Sequence, residues 1–326
     1  MTRSVAIVGA GQIGHAGALV LRDAGWDARV FARSHPDWFV DGATFERYVT
    51  DESAAPSADI VLDTIAYDED DVARYDPHAV GRLMVVSSAS VYCDAKGRSL
   101  DEAAQDGFPH FPAPITEDQP TVAPGPETYS TRKVRMENAA KSRFGNRATI
   151  LRPCAIYGSH SRHPREWWFV KRLLDGRSRI PLNHSGQSWL QTTSARSIGD
   201  VALMSARDAI GGTFNVADAD APTVAEIGSA VAASLGKTVE FVPVEGAPDE
   251  GVGRTPWTIP EPMIVSRAKA ARHGTAPMRY DTAIDDTVHW LRDLDPADWR
   301  AAFPQLAAYS WDLFNYEAED RFFASR

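Results

Sequence analysis

The stretch Val5-Ala6-Ile7-Val8-Gly9-Ala10-Gly11-Gln12-Ile13-Gly14 decides the fold. A short apolar run enters a glycine turn, and a helical pattern of Ala18, Leu19, Leu21 and Ala24 then runs to Gly25. Strand, glycine turn and helix in this order can hold a dinucleotide. Gly9 permits the tight turn, Gly11 lets the backbone approach a pyrophosphate, and Gly14 lets the helix pack close to the strand. The helix N-terminus, from Gln12 and Ile13, then aims at the anion. The alternative for these glycines is a purely structural turn.

Composition narrows the partners. The chain has 326 residues, 44% hydrophobic and 24% charged, enough for one large or two modest globular cores. A net charge of −10 and a pI near 5.4 argue against nucleic acid or an anionic membrane as the main partner. Two cysteines, Cys93 and Cys154, are too few for a disulfide framework and fit a reducing cytoplasm. The sequence before the first strand lacks a signal-peptide core, and no apolar run approaches the roughly 18 residues of a membrane span.

Further strands follow at 28–32, 48–50, 58–66 and 82–87. The second ends Phe31-Ala32-Arg33-Ser34 without the acid that usually meets an adenosine ribose. Arg33 and Ser34 suit a 2′-phosphate, which favours NADP(H) and leaves NAD(H) possible; the ordinary reading of Arg33 is a solvated loop cation. Asp63, inside an apolar strand, needs a buried partner or a place at the strand's open end. The acidic segment 67–80 has room only for a short helix.

Tyr129 and Lys133 are four residues apart in a stretch that reads as helix through residue 144, so they share a face. An ammonium beside a phenol lowers the phenol pKa, which suits proton transfer at a carbinol oxygen. Taken alone, the spacing is commonplace on solvated helix faces.

The order of motifs is more specific than any one of them. The glycine turn is followed by Ser87-Ser88-Ala89-Ser90-Val91-Tyr92, Ile115-Thr116-Glu117-Asp118-Gln119-Pro120, Tyr129 with Lys133, and Leu151-Arg152-Pro153 with Tyr157-Gly158. This resembles the extended short-chain dehydrogenase/reductase family, the NAD(P)-dependent epimerase/dehydratase group, over roughly residues 1–220. The resemblance implies an α/β fold: a Rossmann-like doubly wound parallel sheet (1–158 and 187–220) with a smaller C-terminal α/β substrate domain (159–186 and 221–326). It implies a catalytic trio of Ser88, Tyr129 and Lys133, with Ser87 the rival for the serine role. Tyr129 is then the general acid/base, Lys133 depresses its pKa and meets the nicotinamide ribose, and Ser88 bonds the substrate oxygen. Ile65, Ala66, Ser87, Pro153 and Ile156 would complete the cofactor contacts. Ser90, Tyr92, His110, Trp168 and Trp189 are the candidate substrate contacts. Cys154 reads as a wall residue rather than a nucleophile.

Four departures qualify the resemblance. The family's first glycine falls at Val8. The 67–81 segment is too short to supply the long helix of the family's usual dimer, so a monomer or a differently built dimer is expected, as in an atypical subgroup of the family. The 93–125 segment is long, and Phe108, His110 and Phe111 in it are placed to cap a substrate pocket or to pin a surface loop. The diphosphate-clamping arginine position holds Thr193, with Arg196 displaced, and no Asp-Glu pair follows Ser88. These last features weigh against nucleotide-sugar substrates and against dehydration.

Further on, Trp167, Trp168 and Trp189 either line an aromatic pocket or pack a core. His160, His163 and His184 are too loosely spaced for a metal site, so none is expected. Asp200 reads as the N-cap of a helix over 201–209. A strand at 213–216 returns to the main sheet, Thr223 and Glu226 form a capping box, a strand runs over 239–244, and helices occupy 266–273 and 283–294. The aromatic tail 296–326 packs onto the body, over the surface the missing dimer helix would cover.

The functional expectation is an NAD(P)-dependent oxidoreductase acting on a small-molecule secondary alcohol or ketone, leaning to a ketoreductase. The alternatives are a nucleotide-sugar epimerase and a non-catalytic nucleotide-sensing or RNA-associated protein.

Overall fold

The computed structural model describes residues 3–245 and 250–326. Its strands are β1 (Ser4–Val8), β2 (Asp27–Ala32), β3 (Thr44–Arg47), β4 (Ile60–Asp63), β5 (Arg82–Val86), β6 (Ala148–Pro153), β7 (Ala155–Tyr157), β8 (Arg179–Asn183), β9 (Thr192–Ser194), β10 (Gly212–Val216) and β11 (Glu240–Val244). Seven of them form one sheet in the order β10-β6-β5-β4-β1-β2-β3, every pairing parallel. The order reverses between β1 and β4, the crevice where open α/β sheets bind ligands.

Both faces of this sheet are covered, which is why β1 is apolar without alternation. Successive side chains still point to opposite faces. Val5 and Ile7 pack with Ala18 and Leu21 of α1 (Gln12–Asp23) and with Ile198 and Ala202 further along the chain. Ala6 and Val8 pack on the other face, with Val72 of α2 (Glu69–Ala73). The short α3 (Ala103–Asp106) follows in the long loop, and α4 (Tyr129–Phe144) adds Met136, Ala140 and Phe144 to that second face. The helix α2 has only five residues, held by an Asp68–Asp71 capping box and packed on α4 through Arg135, which pairs with Asp68 and Glu69.

A second core lies beyond the sheet. Here α5 (Trp167–Leu174) packs with the helix α7 (Val224–Ser234), while α6 (Ala195–Asp208) belongs to the main sheet. The parallel pair β8–β11 belongs to this second region. The chain continues through α8 (Ala268–Arg272), α9 (Tyr280–Ala283), α10 (Asp285–Leu294), α11 (Trp299–Ala302), α12 (Pro304–Ala307) and α13 (Tyr316–Ala324). Trp299, Phe303, Leu306 and Leu313 are buried against Trp167, Trp168 and Trp257. Arg172 of α5 donates to Glu319 of α13 at 2.6 Å, to the Leu313 carbonyl at 2.8 Å and to the Trp168 carbonyl at 2.9 Å.

Three expectations are corrected. The third strand lies at Thr44–Arg47 rather than 48–50, because it is the edge partner of β2 and its largely exposed residues carry no apolar signal. The helix read from Asp200 starts at Ala195, where the Ser194 hydroxyl accepts from Arg196 N at 3.2 Å, and Asp200 sits inside it. The tail packs into the second core and not over α2 and α4, since none of their residues belongs to that cluster. The Thr223–Glu226 capping box forms as expected. No helix among the described residues is long and apolar enough to cross a membrane.

Candidate active site

The glycine turn is built by contact. Gly9 has φ +106°, and a Cβ there would fall 2.3 Å from Thr64 Oγ1. A Cβ on Gly14 would fall 2.0 Å from the Gly9 carbonyl, so α1 approaches the turn this closely only because residue 14 is glycine. At Gly11 a Cβ would meet nothing within 4 Å, and this open side faces the N-terminus of α1, which has no acid in its first turn and no side-chain cap. Unsatisfied amides, a positive helix end and open space fit a pyrophosphate. The Trp38 indole donates to the Ala10 carbonyl at 3.0 Å and tethers the loop after β2 to the turn. Arg33 and Ser34 lie exposed at the C-terminal end of β2, among the residues of that loop.

The adjacent end of β4 is shaped by Asp63. Its buried carboxylate accepts from Ile65 N at 2.8 Å, Ala66 N at 2.7 Å and Tyr75 Oη at 2.7 Å. Its role is therefore to fix the Ile65–Ala66 turn beside the glycines; burial pushes its own pKa upward.

Tyr129 opens α4, held there by the reciprocal capping box of Thr128 and Thr131. The residue as a whole is 42% exposed, whereas its hydroxyl end is enclosed. Ser88 is the N-cap of a short turn at Ala89–Val91, and its hydroxyl acts on the Tyr129 phenol, lowering its pKa. Behind it, Ser90 Oγ donates to Ser88 Oγ at 2.9 Å, and Ser130 Oγ lies 2.9 Å from Ser90 Oγ. Ser130 is a member of this hydroxyl chain that sequence reading missed.

Lys133 lies one turn further along and is buried. Its Nζ donates to the Ala66 carbonyl at 2.6 Å and the Val86 carbonyl at 2.9 Å, bridging the ends of β4 and β5, and stands 5.7 Å from the Tyr129 ring centre. Burial pulls Lys133 down to about 8, against the pull of Asp63, Asp71 and Glu137. The expected lowering of the phenol is not found. Burial, aided by the Asp101 carboxylate and against the Ser88 hydrogen bond, pushes Tyr129 up to about 12. At neutral pH the phenol is therefore a proton donor.

Glu137, a turn beyond Lys133, is the hub that sequence reading overlooked. Arg152 of β6 grips it with two hydrogen bonds, at 2.8 Å and 2.6 Å, and Ser87 Oγ donates to it at 2.7 Å. The pair joins α4 to the ends of β5 and β6. A carboxylate and a guanidinium 15 residues apart give no helical spacing by which sequence alone would match them. Ser87, expected at the cofactor, is corrected by this contact: its hydroxyl is buried on Glu137.

Two expected substrate contacts are also corrected. Tyr92 is fully buried, donates to Asn215 Oδ1 at 2.6 Å and lies under the Arg152 guanidinium. Trp168 is closed inside the second core with Arg172 stacked 3.5 Å from its ring centre. His110 is exposed and meets Glu261 at 3.0 Å, Phe111 is buried beside Tyr92 and Ile115, and half-buried Trp189 pairs through its backbone with Thr223. Pro153 ends β6, and half-buried Ile156 packs on the α1 side of the sheet. Cys154 is held well protonated, its thiol pushed up to about 12 by burial. Arg165 was also missed: its charge acts on both Tyr129 and Cys154, and its Nε is buried without a partner among the described residues.

Beside the glycine turn, a cavity of about 420 Å³ lies against α1, bounded by Gln12, His15, Gly158, Arg196 and Asp286; it contains none of Ser88, Tyr129 and Lys133. Among the described residues no group of His, Cys, Asp or Glu is arranged to hold a metal.

No family model and no curated protein sequence matches the chain. Solved structures do. A UDP-galactose 4-epimerase shares 18% identity at a TM-score of 0.63, covering 89% of this chain and 99% of its own. A UDP-glucose 4-epimerase shares 16% at 0.68, covering 90% and 98%. The dTDP-glucose 4,6-dehydratase of Bacillus anthracis, solved with NAD, shares 15% at 0.64, covering 92% and 100%. At these identities the likeness is one of fold: the chain has the Rossmann-like α/β architecture of the nucleotide-sugar epimerase and dehydratase structures.

Proposed function

We propose that the protein is an NAD(P)-dependent oxidoreductase that transfers hydride at a secondary alcohol or ketone carbon, working as a ketone reductase. One observation carries the reading: the Ser88 hydroxyl acts on the Tyr129 phenol beside the glycine turn, with the Lys133 ammonium 5.7 Å from the Tyr129 ring centre and bridging the strand ends beneath. The nicotinamide cofactor supplies the hydride when bound. Gly9, Gly11, Gln12, Ile13 and Gly14 hold its pyrophosphate, and Arg33 with Ser34 favours NADP(H). NAD(H) is the cofactor named with several structural neighbours.

The chain's own residues do the rest. Tyr129, protonated at neutral pH, gives its proton to the oxygen that gains charge. Ser88 donates a hydrogen bond to the same oxygen. Lys133 uses two of its three N–H donors on backbone carbonyls, which fixes the remaining one.

Nucleotide-sugar epimerisation is the second reading, supported by the activities named for the neighbours. Against it stands Thr193, whose buried hydroxyl donates to the Val216 carbonyl at 2.6 Å and leaves no diphosphate clamp there. A nucleotide-sensing or RNA-associated role is disfavoured by the net charge of −10. We place the enzyme in the cytoplasm as a monomer or a dimer of a different build, since the five-residue α2 cannot furnish half of a helical bundle.

Titrating NADPH and NADH by fluorescence and then assaying a panel of carbonyl compounds tests the reading. Tyr129→Phe is expected to keep cofactor binding and lose turnover. Turnover indifferent to that change sinks the mechanism, and failure to bind either cofactor removes the enzyme class.

A further inference from the structure

Four large apolar side chains are well exposed among the described residues, and two of them stand together: Tyr67 at 38% and Tyr129 at 42%. Ile65 and Tyr67 follow β4, at the strand end beside the ligand crevice. The Tyr67 ring centre is 5.6 Å from that of Tyr129, tilted by 46°. This is an ordinary distance for an aromatic pair.

The Tyr67 backbone is anchored. Its backbone N donates to Asp71 Oδ2 at 2.7 Å, inside the capped start of α2. The Arg132 guanidinium stands 5.6 Å from its ring centre, and Arg132 is itself tied to the Pro126 carbonyl at 2.8 Å. An aromatic side chain left exposed on an anchored backbone, between a guanidinium and a reactive phenol, is a contact surface. A residue serving only the core would be buried, and a residue serving only solubility would carry charge.

We propose that Tyr67 is a specificity-determining residue of the Tyr129 site, a wall that selects carbonyl substrates with a flat aromatic face next to the reacting carbon. The proposal rests on Tyr129 being the proton donor. The apolar part of the substrate lies against the Tyr67 ring and its oxygen toward Ser88 and Tyr129. Tyr67 acts by stacking, so its hydroxyl is dispensable and its ring is not.

The test uses acetophenone and 2-butanone as matched probes, with wild type, Tyr67→Phe and Tyr67→Ala. Reduction rates are followed by NADPH or NADH absorbance, and equilibrium binding of acetophenone to the cofactor-loaded protein is followed by calorimetry. In Tyr67→Ala the kcat/KM ratio of acetophenone over 2-butanone falls about 2- to 13-fold, the range one aromatic contact gives, with the loss in KM. Tyr67→Phe stays near wild type in both assays. An unchanged ratio in Tyr67→Ala with active enzyme overturns the wall and leaves the reductase reading standing. Acetophenone binding that weakens in Tyr67→Ala without turnover in any variant supports the wall and refutes the reductase reading. A wild type that binds no acetophenone overturns the wall.

Discussion

Replacing Glu137 with alanine should destabilise the protein far more than removing an average charged residue. Glu137 and Arg152 are both closed from solvent, and the carboxylate also receives Ser87. Without it, a buried guanidinium and a serine hydroxyl lose their acceptor together. Breaking one partner of a buried pair costs about 3–5 kcal/mol. With unfolding entropy near 2.1 cal/mol/K per residue over 326 residues, that corresponds to a fall in Tm of about 4–7 °C. Calorimetry of wild type, Glu137→Ala, Arg152→Met and the double variant measures it. The double variant should recover part of the loss, because no uncompensated charge remains. Equal and additive losses in the two single variants would refute the reasoning, showing that the pair is not coupled.

Two further outcomes follow from the second core. Glu166 is buried, accepts from Tyr280 at 3.3 Å, and burial raises its pKa from 4.5 to about 7; Arg165, Tyr157 and Asp218 are its charged and titratable neighbours. A raised carboxyl pKa favours the fold fully below the unfolded value and loses that contribution as pH climbs through the folded one. The loss is about 3 kcal/mol between roughly pH 4.5 and 7, and Glu166→Gln should flatten that part of a pH–stability profile followed by urea unfolding. Removing residues 296–326 should uncover Trp167 and Trp168 and break Arg172–Glu319; a shortened chain with unchanged melting and solubility would contradict this.

The legible parts of the fold were those whose signal is local. The glycine turn needs glycine at three closely spaced positions, with an unbroken apolar run before it and a helical pattern after it, so sequence reading located it and α1. The capping box at Thr223 and the Tyr129–Lys133 pair are equally local. What could not be read depends on contacts between distant residues. Tyr92 and Trp168 looked like pocket linings because an exposed aromatic and a buried one have the same sequence signature. Glu137 with Arg152, and Arg165 beside Tyr129, are meetings that only the packed sheet brings about. The direction of the Tyr129 shift was misread for the same reason: helical spacing sets Lys133 on the right face, but two backbone carbonyls decide where its ammonium points.

The Arg172–Glu319 pair also has a consequence in time. The two residues are 147 positions apart. At a synthesis rate of about 5–20 residues per second, Arg172 exists for roughly 7–30 s before its acceptor does. During that interval Trp167, Trp168 and Phe169 have no tail to cover them, although the glycine turn, β1 to β5 and α4 are already made. The nascent chain therefore carries the glycine turn and Tyr129, before α6 and β10 complete the sheet, beside an aromatic surface still open to association. A chaperone that holds apolar surface should meet the protein there, and a translational pause between residues 174 and 299 should lengthen the exposure and raise the aggregated fraction.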